Sequence, residues 1–306
     1  MRRVAVLSLL ACGACGAGDP AAIGAQAEAD SAFVAAVRAQ LDAATEAGQF
    51  SGAVLVTRDG RTLFEGAYGM ADREQSIPNT TVTQFRVGSM NKMLTAVAAL
   101  QLVQDGTLSL DETLDTHLPD YPNADLASKV TSHHLLTHTG GTGDIFGPQF
   151  DANRLSLKQH ADYLRLYGAR PLEFEPGSDD RYSNYGFVLL GALIEKVTGQ
   201  TYYDRVRQRI FARAGMVSTD SLPENETVPG RAMGYMKQDD RWVANTDTLP
   251  YRGTAAGGVT ALVDPAEISE SVMESIIEAD EAVMEKYLEG QMPSKEELQR
   301  LCSEAV

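Results

Sequence analysis

Phe85-Arg86-Val87-Gly88-Ser89-Met90-Asn91-Lys92-Met93-Leu94-Thr95-Ala96 is the stretch that decides the reading of this chain. An extended run stops at Gly88, and apolar residues then recur at Met93, Val97, Leu100 and Val103, the spacing of a helix face. Gly106 is a natural stop. Ser89 therefore sits where a helix opens, among backbone N–H groups without intrahelical partners and at the positive end of the dipole. Lys92 lies one turn on and shares its face. A serine hydroxyl needs a base before it becomes a nucleophile, and a lysine whose pKa is lowered by burial can serve. Ser-x-x-Lys places the two at minimum spacing. Taken alone the pattern more often describes an N-cap serine beside a solvated lysine.

Working outward, residues 31–47 read as an amphipathic helix, with Phe33, Val34, Val37, Leu41 and Ala44 on one side. Two strands follow at 52–57 and 62–67, joined by the hairpin signal Asp59-Gly60. Beyond Gly106 come a looser region, a short helical run at 130–138 and a helix at about 156–167. Tyr182-Ser183-Asn184 follows in an extended loop, then helices at 187–197 and 202–213 and a small-residue loop, Gly253 to Thr260. Tyr182, placed near a lysine, can exchange a proton with serine or a leaving group. Asn184 can bind a substrate carbonyl or amide.

Ser-x-x-Lys at 89–92, Leu-Leu-Thr-His-Thr-Gly-Gly at 135–141, Glu-Pro-Gly at 175–177, Tyr-Ser-Asn at 182–184 and Leu-Leu-Gly-Ala-Leu-Ile-Glu at 189–195 occur in that order. Over residues 31–264 the chain resembles the serine β-lactamase and penicillin-binding-protein superfamily, specifically its class C β-lactamase, D,D-carboxypeptidase and esterase branch. The resemblance implies an α+β fold, an antiparallel sheet flanked by helices plus a mostly helical region. It implies Ser89 as the acylated nucleophile, Lys92 and Tyr182 sharing the base role, and Asn184 positioning substrate. The Ser89 N–H would be half of an oxyanion hole. The substrate would be a lactam, a D-Ala peptide, a D-amino-acid amide or a short ester. No cofactor and no metal is expected: His134 and His138 have i, i+4 spacing, but no third ligand accompanies them. His138-Thr139-Gly140 spells the third motif of that family, yet it precedes Tyr182, so His138 is read as structural.

The ends read differently. Met1-Arg2-Arg3 followed by an apolar run to Leu10 is an export leader, with two processing routes open. One makes Cys12 a lipidated membrane anchor, and the other cleaves after Ala25-Gln26-Ala27, so residues 1–27 are the leader and the body is periplasmic or extracellular. Net charge is −16, which excludes the phosphate backbone of nucleic acids as a partner. Residues 265–306 hold 11 acidic and 3 basic residues, a net −8, in a helical pattern. Glu278 to Gly290 resembles a fragment of translation elongation factor G, without any phosphate-binding loop. Past Asp264 the strand carrying the third motif and the second oxyanion N–H is not evident, so the domain reads as truncated. Losing one such donor costs roughly 10²–10³-fold in rate, so weak activity and low stability are expected. Two other readings remain: a catalytically dead relative that binds peptide, and an elongation-factor fragment joined to a hydrolase remnant.

Overall fold

The computed structural model describes residues 20–58, 61–224 and 226–261. The leader up to residue 19, the Asp59-Gly60 turn and the acidic tail expected at 265–306 lie outside the described residues. Helix α1 (Pro20–Glu46) is followed by strands β1 (Gly52–Arg58) and β2 (Arg61–Tyr68), then β3 (Met70–Asp72), β4 (Ile77–Pro78) and β5 (Phe85–Arg86). A single 3-10 turn, Gly88–Met90, leads into α2 (Asn91–Gln104). Short helices α3 (Leu114–His117), α4 (Ala124–Ala127), α5 (Ser132–Leu136) and α6 (Pro148–Asn153) precede α7 (His160–Tyr167) and α8 (Asn184–Thr198). Next come α9 (Tyr202–Val206), a π-helical turn Arg207–Phe211, α10 (Ala212–Ala214), β6 (Tyr235–Gln238), β7 (Arg241–Ala244) and β8 (Thr260–Ala261).

Most of the burial lies in the helices. Helix α8 is buried nearly all round: Phe187, Val188, Leu189, Leu190 and Ile194 are 0% exposed. Helix α2 behaves the same way through Leu94, Val97, Ala98, Ala99 and Leu102. A helix apolar on every side belongs in a core. The two pack against each other, with α5, α7 and α9 around them. Ser183 caps α8 by accepting the Gly186 N–H at 2.8 Å, and Gly199 closes it in the left-handed conformation at φ 68°.

The strands pair two by two among the described residues: β1 with β2, β3 with β4, β5 with β8, β6 with β7. The expected antiparallel hairpin is present, running from Gly52↔Tyr68 to Arg58↔Arg61. Val54, Leu55 and Val56 on β1 are only half-buried. The helices differ from expectation in several places: α8 starts at Asn184, and the helix expected at 202–213 is α9, a π-helical turn and α10. α1 begins at Pro20 and passes unbroken through Ala25-Gln26-Ala27. The helix expected at about 156–167 starts late, because α7 begins only at His160. Ser89 is the middle residue of a 3-10 turn that precedes the α-helix, and Gly88, at φ 55°, opens that turn.

Candidate active site

Strand β5 and the 3-10 turn deliver Ser89 to the surface edge of α2, while Lys92 points into the core and is 6% exposed. Lys92 Nζ reaches Ser89 Oγ at 3.2 Å, Asn184 Oδ1 at 2.8 Å and the Ala256 carbonyl at 2.7 Å. The Tyr182 phenol donates to Ser89 Oγ at 2.6 Å. The structure thus brings all four expected residues into one cluster. One detail is corrected: Asn184 is the first residue of α8, not part of an extended loop, and Tyr182 is 51% exposed just before its cap.

The electrostatics follow from burial. Taking the Lys92 ammonium out of water lowers its pKa from 10.5 to about 8, against the pull of the Asp144 carboxylate. As an ammonium, Lys92 donates to all three partners. As an amine it has two hydrogens, enough for the two shorter bonds to Asn184 Oδ1 and Ala256 O. Its lone pair then faces Ser89 Oγ. Lys92 Nζ lies over the Tyr182 ring, 4.6 Å from its centroid, while the phenol bonds the serine.

The histidine cluster is absorbed by local structure. His138 Nδ1 accepts the Ser183 N–H at 3.1 Å, and its ring lies 4.6 Å from that of Tyr182. Burial, then the Lys92 charge, push its pKa down to about 4, so it is neutral at ordinary pH. His134 Nδ1 accepts the Thr131 N–H in a capping box. His138 is therefore structural as expected, but it holds up the tyrosine segment itself.

Two contributors were missed. Asp144 accepts from Asn184 Nδ2 at 2.9 Å, and nothing in its surroundings in sequence marks it. The small-residue loop supplies the Ala256 carbonyl, and this loop is anchored from three elements. Thr95 Oγ1 donates to Ala255 O at 2.6 Å, Asn91 Nδ2 to Thr254 O at 2.9 Å, and Tyr203 OH to Gly253 O at 2.8 Å. Buried His160 accepts the Ala255 N–H at 3.1 Å and bonds Glu195 through its other nitrogen. Gly253 and Gly258 close the loop, where a Cβ on Gly253 would stand 2.6 Å from Gly258 Cα, so side chains are excluded.

A cavity of about 400 Å³ lies elsewhere, between Phe50, Arg73, Asn79 and Trp242. Its Ser51 hydroxyl is engaged by the Met70 backbone and the Asn79 amide.

The beta-lactamase family pattern matches residues 34–265. The chain belongs to the beta-lactamase family. Esterase EstB of Burkholderia gladioli is 36% identical over 220 residues, covering 65% of this chain and 55% of the esterase. Penicillin-binding protein 4 of Amycolatopsis lactamdurans is 31% identical over 222 residues, covering 71% and 57%. Among solved structures, a penicillin-binding protein from Bacillus halodurans superposes with a TM-score of 0.67 at 30% identity, covering 85% of this chain and 77% of that one. This chain spans about half the length of the curated relatives it matches, 38% to 57%. The beta-lactamase/transpeptidase-like fold, of the α+β class, is the one expected from the ordered motifs.

Proposed function

We propose that this chain is a serine hydrolase that works through an acyl-enzyme on Ser89. The observation that carries the reading is the position of Ser89 Oγ, 2.6 Å from the Tyr182 phenol and 3.2 Å from Lys92 Nζ. Lys92 in its amine form takes the serine proton as Oγ bonds to the substrate carbonyl carbon. Tyr182, at the exposed mouth of the site, gives its proton to the leaving nitrogen or oxygen as that bond breaks. Lys92 is left as the ammonium, ready to return its proton to Ser89 Oγ, and Tyr182 as the phenolate, ready to take a proton from water. Water repeats the sequence in reverse and releases the acid. The Ser89 N–H, in the first turn, faces the developing oxyanion.

The substrate class is an amide or ester: a lactam, a D-Ala peptide, a D-amino-acid amide or a short ester. Relatives named as penicillin-binding proteins, an esterase and a D-amino acid amidase support that range. The net charge of −16 argues against nucleic-acid partners. The basic and apolar leader supports export, with Cys12 as the one lipid-anchor candidate; no described helix is long and apolar enough to cross a membrane. Hydrolysis of those four substrate classes by the full chain and by Ser89→Ala tests the reading. Turnover of at least one class by the parent and none by the variant supports it. Equal turnover by both contradicts it.

A further inference from the structure

Asn184 is gripped from two sides. Its Oδ1 accepts from Lys92 Nζ at 2.8 Å, and its Nδ2 donates to Asp144 Oδ1 at 2.9 Å. That order is fixed while Asp144 is ionised, because a carboxylate has no hydrogen to donate. Asp144 is itself held: its Oδ1 also accepts the Ile145 N–H at 2.7 Å, and its backbone carbonyl accepts from Arg170 at 2.6 Å. Without the carboxylate the amide can turn over and present Nδ2 to Lys92. A turned amide removes one of the two acceptors that take the amine's hydrogens. It also offers a donor to the lone pair that otherwise faces Ser89.

We propose that Asp144 is a positioning residue: its carboxylate locks the Asn184 amide with the oxygen toward Lys92, so that the amine's lone pair stays on Ser89. This rests on the reading of Ser89 as the acylated nucleophile. A second effect accompanies the first. The titratable or charged groups around Lys92 are Tyr182 and His138 across the cleft, Asp144 behind Asn184, and Arg170 behind Asp144. Asp144 is the negative member of that set. Removing its charge lowers the Lys92 pKa below its value of about 8, since burial is then less opposed. The same substitution therefore slows the reaction through geometry and moves its pH dependence toward acid through charge. Lost packing alone would do neither in that combination.

The test uses the full chain, Asp144→Asn, and Asp144→Ser, whose hydroxyl can still accept the Ile145 N–H. Labelling of Ser89 by a fluorophosphonate is followed against pH, and Lys92 is titrated by NMR of its side-chain carbon. Both variants are expected to label about 10–100-fold more slowly, as when other orienting partners of a functional group are lost. Their Lys92 titration and the acid limb of labelling should move to lower pH. Asp144→Glu, which keeps the charge and the acceptor, should recover part of the rate. Folded variants with unchanged rate and an unmoved Lys92 titration overturn the role given to Asp144. Absence of labelling in the parent protein overturns the acylation reading instead.

Discussion

The phenol of Tyr182 donates a 2.6 Å hydrogen bond to Ser89 Oγ across 93 positions of sequence. Two different pieces of folding produce this contact. Gly88, at φ 55°, turns Ser89 out of β5, and the Ser183 cap fixes Tyr182 just before the first turn of α8. Tyr182→Phe keeps the ring over Lys92 and removes only the hydroxyl. Ser89 labelling should fall by about 10²–10⁴-fold, the usual worth of a general acid or base. Thermal stability should change little, because the side chain is 51% exposed. Labelling rates and melting curves of the two proteins check both halves.

Lys92 predicts a pH dependence of stability. Its folded pKa, about 8, lies below the 10.5 of the unfolded chain, so the unfolded state binds the extra proton between those values. Stability contributed at this site therefore rises with pH through that window, and the cost of burial is fully present below pH 8. The shift corresponds to about 3 kcal/mol at most. Subtracting the unfolding free energy of Lys92→Met from that of the parent cancels the tyrosines, and the difference should grow in the parent's favour from pH 8 to 10.5. The variant should also fail to acylate.

His138 acts in the acid range. Burial first, and the Lys92 charge second, hold its folded pKa at about 4, below the ordinary 6.5. The unfolded state again binds more protons between the two, so stability is lost as pH falls from 6.5 to 4. The loss is about 2 kcal/mol after a discount for partial exposure. Protonated Nδ1 can no longer accept the Ser183 N–H, so Tyr182 should be released together with it. Unfolding measured at pH 4 and 6.5 should show the loss in the parent and much less of it in His138→Gln.

Gly191 on α8 separates propensity from packing. Alanine is worth about 1 kcal/mol over glycine in a helix interior. Here an added Cβ would stand 2.5 Å from His160 Nε2 and 2.7 Å from Ala255 Cβ, closer than atoms pack. His160 carries the Ala255 N–H and so the loop that presents the Ala256 carbonyl to Lys92. Gly191→Ala should lower the melting temperature and slow Ser89 labelling together, and a variant with a higher melting temperature would contradict this packing.

The reading from sequence reached the site through chemistry that sits at fixed spacing. Ser89 and Lys92 are one helical turn apart, and Tyr182 and Asn184 flank a helix cap, so motif and local structure coincide. Asp144 and Ala256 had no such signal. Asp144 works by what a carboxylate forbids, and it meets Asn184 across 40 positions; Ala256 contributes a backbone carbonyl that any residue carries. The helix start at His160 was misplaced because capping sets it. In α7 the Gln159 and Asp162 side chains form the cap, which apolar periodicity does not register. The strands were legible as a hairpin, since alternation and the Asp59-Gly60 turn are local, while the β5–β8 pairing joins residues over 170 positions apart.

The central claim is that Ser89 is the atom acylated. Intact-mass and peptide-mapping mass spectrometry after fluorophosphonate treatment measures this directly. One adduct per chain on the peptide carrying Ser89, absent in Ser89→Ala and slowed in Tyr182→Phe, is the predicted result. No adduct on folded protein, or an adduct that persists in Ser89→Ala, contradicts it.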